Sequence, residues 1–185
     1  MPDLTETLAI ENVVASTSID QELDLERLAA DLDGSQYDPA HFPGLIYRLQ
    51  DPKATLLIFR TGTIVCTGAE SERGVETAIE RTIDELRTLA IAVPDDPSIT
   101  VQNIVSTGDL GQRLNLNALA VGFGFEHVEY EPEQFPGLVY RLDEPAVVVL
   151  LFGSGKLVIT GGTQPEDAER AIIAIHAEIE ELGLL

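Results

Sequence analysis

The eight residues Phe42-Pro-Gly-Leu-Ile-Tyr-Arg-Leu49 set an aromatic ring on a Pro-Gly turn ahead of a cation, and the chain writes them again as Phe135-Pro-Gly-Leu-Val-Tyr-Arg-Leu142. Only Ile46 gives way to Val139, so the chain carries an internal duplication. Leu57-Ile-Phe-Arg-Thr-Gly62 pairs with Leu150-Leu-Phe-Gly-Ser-Gly155, and Thr67-Gly68 with Thr160-Gly161, all at one spacing of 93 residues. Upstream, Glu11-Asn-Val-Val14 pairs with Gln102-Asn-Ile-Val105 after a small length change. The groups that recur are rings, arginines, amides and hydroxyls, which serve recognition. Groups that make and break bonds do not gather. His41, His127 and His176 are scattered, and Cys66 lies mid-strand beside no paired histidine. No phosphate-cradling glycine loop or metal-ligand spacing occurs, and Asp31-Leu-Asp-Gly34 is too short for a calcium loop. Neither an enzyme nor a cofactor nor a metal is expected.

The elements that position these residues follow from periodicity. Leu8–Ala15 is β-branched and short, a strand; Asp24–Leu32 has apolar residues at 25, 28, 29 and 32, a short amphipathic helix ended by Gly34. Leu45–Leu49, Ala54–Phe59 and Thr63–Thr67 read as three strands of a meander with short loops. From Ser71 to Leu89 the stripe Val75, Ile79, Ile83, Leu86, Leu89 predicts a long helix. The second copy repeats the order: a strand over 99–105, a helix near 115–121, then strands ending near 143, 152 and 160. A last helix spans about 164–182, with Thr163 and Glu166 in capping-box positions and Gly183 past its end. The repeats divide as 1–94 and 95–185, joined by Val93-Pro-Asp-Asp-Pro97, which is too short for a flexible tether. Strands outnumber helices and one long helix closes each half, so the fold class is α+β.

The net charge is −21, and the acids are spread over both repeats: 17 against 7 bases in residues 1–94, and 15 against 4 in residues 95–185. Such self-repulsion points to surroundings that screen it, as in a salt-rich cytoplasm, and taken alone argues against a nucleic-acid partner. A lone cysteine excludes an internal disulfide. No apolar run is long enough to cross a membrane and no signal segment opens the chain, so a cytoplasmic location is expected.

In the strands after the repeated stretch, both faces are apolar. Thr55, Leu57 and Phe59 share one face and Leu56 and Ile58 the other; Val148, Leu150 and Phe152 oppose Val147, Val149 and Leu151. One long helix per repeat covers only one side, so the other is a large exposed apolar surface of the kind that marks a partner site. No Asp or Glu occurs from Lys53 to Ala69 or from Pro145 to Pro165, so something anionic and apolar-tolerant, or another protein, is expected there. A sandwich or dimer that buries this face as core remains the alternative at this point.

These motifs, Asn-hydrophobic-Val, Phe-Pro-Gly-Leu-Ile/Val-Tyr-Arg, Leu-x-Phe-x-Ser/Thr-Gly and Val-x-Thr-Gly in both copies, resemble the archaeal and eukaryotic TATA-box-binding proteins over residues 8–183. The acidity adds a high-salt-adapted archaeal character. The resemblance implies a pseudo-twofold saddle of two direct repeats, with a ten-stranded antiparallel curved sheet beneath and four helices on the convex side. It implies a general transcription initiation factor that binds and bends A·T-rich promoter DNA through the minor groove, in association with the nucleoid. It also assigns roles. Phe42, Phe59, Phe135 and Phe152 match the intercalating wedges. Asn12, Thr67, Asn103 and Thr160 match polar minor-groove contacts, and Val14, Leu57, Val65, Val105, Leu150 and Val158 the flat apolar surface that guanine's amino group would clash with. Arg48, Thr61, Arg141, Ser154 and Lys156 match phosphate contacts. Glu131 and Glu133, in the turn before Phe135, match the surface contacted by transcription factor B, a TFIIB-type initiator that leads to RNA polymerase; repeat one has Asp38-Pro-Ala-His41 there instead.

The sequence departs from the family pattern in its cations. Thr63 stands where repeat two has Lys156, and few other bases flank the underside, which predicts a weak or inverted salt dependence of DNA binding. An uncovered apolar face also predicts homodimers when DNA is absent. The competing class is a saddle-fold module that does not bind DNA and uses the apolar face for another protein.

Overall fold

The computed structural model describes residues 3–185. Residues 12–102 form one compact unit, and residues 103–185 with the N-terminal residues up to Glu11 form the other. In the first repeat the elements are β1 (Ala9–Ser18), α1 (Leu25–Asp31), β2 (Ser35–Gln36), β3 (Leu45–Gln50), β4 (Lys53–Ile58), β5 (Thr63–Ala69) and α2 (Glu72–Thr88). In the second they are β6 (Thr100–Asp109), α3 (Leu116–Phe123), β7 (Val128–Glu129), β8 (Leu138–Leu142), β9 (Val147–Leu151), β10 (Lys156–Gly162) and α4 (Pro165–Glu181). A 3-10 turn, Leu4–Thr7, precedes β1 and packs on α4.

Within each repeat the spatial order is the same, β2-β3-β4-β5-β1 and β7-β8-β9-β10-β6, with antiparallel pairing. Strand alternation sorts the side chains. Leu56 and Ile58 of β4 and Ile64 and Cys66 of β5 are buried, and α2 packs on both strands with Val75, Ala78, Ile79, Ile83 and Leu86 inward. In the second repeat Val149 and Leu151 of β9 and Leu157 and Ile159 of β10 lie under Ile172, Ile175 and Ile179 of α4. Burying each of these isoleucines contributes about 1.5–3 kcal/mol.

The caps fit their sequences. Asp24, Ser71 and Asn115 accept from the backbone N–H groups of Arg27, Gly74 and Ala118 and so start α1, α2 and α3. The start of α4 differs from the expected Thr163–Glu166 pair. Gln164 is the cap, and the Asp167 carboxylate accepts from the backbone N–H groups of Thr163 and Gln164. Pro165 fixes this frame, because proline at the first helical position needs no hydrogen-bond acceptor. β2 and β7 are additions to the four strands per repeat read from periodicity. Two residues are too few to show an alternation, and only their pairing with β3 and β8 defines them.

Candidate nucleic-acid interface

The sheet faces opposite the helices are apolar and half-exposed. In the first repeat Val14, Leu57 and Val65 lie there, with Leu57 directly opposite Val65 in register; in the second, Val105, Leu150 and Val158, with Leu150 opposite Val158. No carboxylate occurs along β4 and β5 or along β9 and β10, so an anion meets no repulsion from these strands.

An aromatic pair marks each of these faces. The Phe42 and Phe59 rings meet edge to face with centroids 5.9 Å apart, and Phe135 and Phe152 do the same at 5.9 Å. None of the four is core: Phe135 is 38% exposed and the other three are half-buried. Edge-to-face contact holds each pair as one wedge. The glycines of the Pro-Gly turns have a sharper role than chain reversal. A Cβ on Gly44 would sit 2.8 Å from Phe42 and 3.0 Å from Phe59, and one on Gly137 2.7 Å from Phe135 and 3.0 Å from Phe152. Only glycine leaves room for both rings. Sequence reasoning assigned these glycines to the turn alone; their repetition after each phenylalanine was the signal.

The asparagines are held by a device present twice. The Asn12 Oδ1 accepts from the Gly68 N–H at 2.7 Å, and its Nδ2 donates to Thr67 Oγ1 at 3.2 Å. Likewise Asn103 Oδ1 accepts from the Gly161 N–H at 2.6 Å and its Nδ2 donates to Thr160 Oγ1 at 3.1 Å. Register shifts between β1 and β5 and between β6 and β10 free these glycine N–H groups, and Gly68 (φ +88°) and Gly161 (φ +98°) adopt a backbone that side-chain-bearing residues rarely take. A backbone N–H can be accepted only by the amide oxygen, so each amide has one orientation. One hydrogen of each NH2 goes to threonine and the second is free to donate to a partner. The repeated Thr-Gly dipeptides are the sequence trace of this clamp.

The cations are tempered. Arg48 Nη1 donates to Gln36 Oε1 at 2.9 Å, whereas Arg141 Nη2 lies 3.8 Å from Glu129 Oε1. Position for position, the neutral amide of the first repeat is a carboxylate in the second. Thr61 Oγ1 donates to Thr63 Oγ1 at 3.2 Å, and Ser154 Oγ accepts from the Lys156 N–H at 3.4 Å, so these hydroxyls cluster at the β4–β5 and β9–β10 turns. Gln36 and Glu129 were not anticipated from sequence, since each lies in a two-residue strand.

Glu131 and Glu133 are both exposed, in a turn where the Glu131 carbonyl accepts from the N–H groups of Gln134 and Phe135 at 3.0 Å each. The corresponding turn of the first repeat closes through the Asp38 carbonyl and the Phe42 N–H at 3.0 Å, with His41 Nδ1 2.7 Å from the Asp38 carboxylate. Among the described residues no helix is long and apolar enough to cross a membrane, and no cluster of metal-ligating side chains occurs.

The chain matches the family model described as transcription factor TFIID (or TATA-binding protein, TBP) twice, over residues 7–89 and 98–182. It is 64% identical over 185 residues to the TATA-box-binding protein 1 of Haloferax volcanii, covering all of this chain and 98% of that one. It is also 64% identical over 185 residues to the TATA-box-binding protein E of Halobacterium salinarum, covering the whole of both. The solved Methanococcus jannaschii TBP superposes with a TM-score of 0.84 at 52% identity, over 94% of this chain and 98% of that one, and bears out the α+β fold class expected from the repeats. The haloarchaeal relatives agree with the acidic, salt-adapted composition. The family is one of DNA-binding transcription factors and not of enzymes. The chain is an archaeal, haloarchaeal-type member of the TATA-box-binding protein family and binds the TATA box in transcription initiation.

Proposed function

We propose that this factor reads its promoter through the minor groove and bends it, using the faces described above. The observation that carries the reading is the twofold occurrence of one arrangement: an aromatic wedge and a clamped asparagine on an acid-free apolar face. The rings of Phe42 with Phe59 and Phe135 with Phe152 enter base steps and unstack them, with stacking offsetting part of the cost. The free N–H of Asn12 and of Asn103 donates to adenine N3 or thymine O2, beside Thr67 and Thr160. The flat surface of Val14, Leu57 and Val65, and of Val105, Leu150 and Val158, rejects guanine's amino group. Arg48, Arg141, Lys156, Thr61 and Ser154 position the phosphates.

Transcription factor B docks on the exposed Glu131–Glu133 turn and brings RNA polymerase to the promoter. The different turn of the first repeat, with Asp38 and His41, gives that factor one end to choose. The protein works in the cytoplasm on the nucleoid, and in the absence of DNA its apolar faces pair it into homodimers. The test is binding of a labelled TATA duplex beside a G·C-scrambled one, with end-to-end fluorescence transfer reporting the bend. Preference for TATA with a bend, both lost in Phe152→Ala, is expected. Equal binding of the two duplexes, with factor B present, would replace this reading by that of a protein-interaction module.

A further inference from the structure

The acid that coats this chain is missing from a third place, outside the strands already described. From Leu110 to Phe125 there is no Asp or Glu, and the only charge is Arg113. The matching stretch of the first repeat, Ile19 to Gly34, carries acids at 20, 22, 24, 26, 31 and 33. Both stretches fold alike, since Asp24 and Asn115 each cap their helix by accepting from the N–H three residues on. Counting from these caps, Glu26 of α1 becomes Asn117 of α3, and the exposed Arg27–Asp31 ion pair becomes Ala118 and Gly122. The inward positions keep their character: Leu25 and Leu28 are buried, and so are Leu116 and Leu119. The change is confined to the outer side.

Apolar groups stand exposed where the charge is gone. Val121 is 70% exposed and Phe125 80%. Leu182, 39% exposed, closes on the glycine between them, where a Cβ on Gly122 would lie 2.7 Å from its Cδ1. Phe125 lies in a connection two residues longer from cap to next strand than its counterpart, Asn115 to Val128 against Asp24 to Ser35. The fold does not require these side chains, because the first repeat closes without them. Isolated exposed apolar residues are ordinary, but a group of them on a helix cleared of charge marks a contact surface.

We infer that the outer side of α3 docks a second protein, through an apolar segment free of Lys and Arg on a body that is itself acidic. Charge decides the partner. A basic segment is drawn to carboxylates, and those are what α3 lacks where α1 keeps them. An acidic body is repelled by a chain of net charge −21 everywhere except at a patch from which acids are absent. Contact there is apolar, with Val121 and Phe125 as anchors, and salt screens the repulsion between the two bodies. Association therefore strengthens as KCl rises, the opposite of a contact held by ion pairs.

The test places the photo-crosslinker p-benzoyl-phenylalanine at Phe125 in the full chain in living cells, with the same group at Ala30 of α1 as control, and identifies the crosslinked peptide by mass spectrometry. A protein crosslinked at 125 and not at 30, through an apolar peptide without Lys or Arg, is expected. That protein, purified, is expected to bind the full chain more tightly in molar than in low KCl. Val121→Glu is expected to weaken this binding about tenfold or more, with TATA affinity and the unfolding midpoint unchanged. Phe125→Ser, outside the helix, is expected to weaken it in the same way. No crosslink specific to 125, a crosslink to a second copy of this chain, or a peptide rich in Lys and Arg overturns the inference. So does binding that weakens as KCl rises, or that survives both substitutions within about threefold.

Discussion

Replacing Asn103 by aspartate separates what the asparagine does for the fold from what it does for DNA. In the folded protein the Asn103 oxygen accepts from the Gly161 N–H at 2.6 Å, and an aspartate oxygen at the same place accepts that bond in charge-assisted form. The Thr160 hydroxyl, 3.3 Å from Asn103 Oδ1, can turn to donate to the new carboxylate. Stability therefore changes little, by about 0.5 kcal/mol or less. Toward DNA the change is severe. The amide donor of the second repeat is removed, and a carboxylate is set against the acceptor atoms of the groove. A lost hydrogen bond together with unpaired acceptors costs about 2–4 kcal/mol, or roughly 30- to 900-fold in Kd. Fluorescence anisotropy with a labelled TATA duplex reads the affinity, and thermal unfolding reads the fold. An Asn103→Asp protein that unfolds like the wild type and binds TATA DNA within about threefold of it would refute the claim that this amide reads the groove.

Gly137→Ala places a methyl group 2.7 Å from Phe135 and 3.0 Å from Phe152, so both rings shift; DNA bending measured by end-to-end fluorescence transfer should fall while the unfolding midpoint moves little, and an unchanged bend would contradict the wedge geometry. Burial pushes the Cys66 thiol from 9.0 up to about 11, so the unfolded state loses its proton first as pH rises. Stability is fully present below pH 9 and declines by about 2–3 kcal/mol between pH 9 and 11, with burial and the Glu178 carboxylate raising Tyr140 in the same direction; denaturant midpoints that stay flat over that window would count against it. With Arg141 beside Glu129 and Thr63 in place of a lysine, few phosphates are neutralised, so TATA affinity should survive molar KCl. A steep fall in affinity between moderate and high KCl would sink that expectation.

Much of the fold was legible because periodicity and duplication reinforced each other. The stripe from Val75 to Leu86 and the alternation of Leu56 and Ile58 with Thr55 and Leu57 each carry enough residues to define helix and strand, and the second copy repeats them. What stayed hidden depends on distant partners or on too few residues. β2 and β7 have two residues each, and the Arg48–Gln36 and Arg141–Glu129 contacts hang on them. The cap of α4 was misplaced by one residue because Thr163 and Gln164 lie side by side and Asp167 serves the backbone of both. The phenylalanines and asparagines were visible as repeated residues. The reason Gly44, Gly68, Gly137 and Gly161 accompany them was not, because it lies in ring contacts and strand irregularities that only three dimensions bring together.

The central claim, that selectivity comes from the minor groove and specifically from the guanine amino group, is tested most directly by inosine. An inosine·cytosine pair presents the groups of G·C in the major groove but lacks the amino donor in the minor groove, where it resembles A·T. The measurement is the affinity of three duplexes of one length: the TATA sequence, the same sequence with inosine·cytosine replacing A·T pairs, and the guanine·cytosine equivalent. The account predicts that the inosine duplex binds like TATA and that the guanine duplex loses about tenfold or more. An inosine duplex that binds as poorly as the guanine one would place the recognition elsewhere and contradict it.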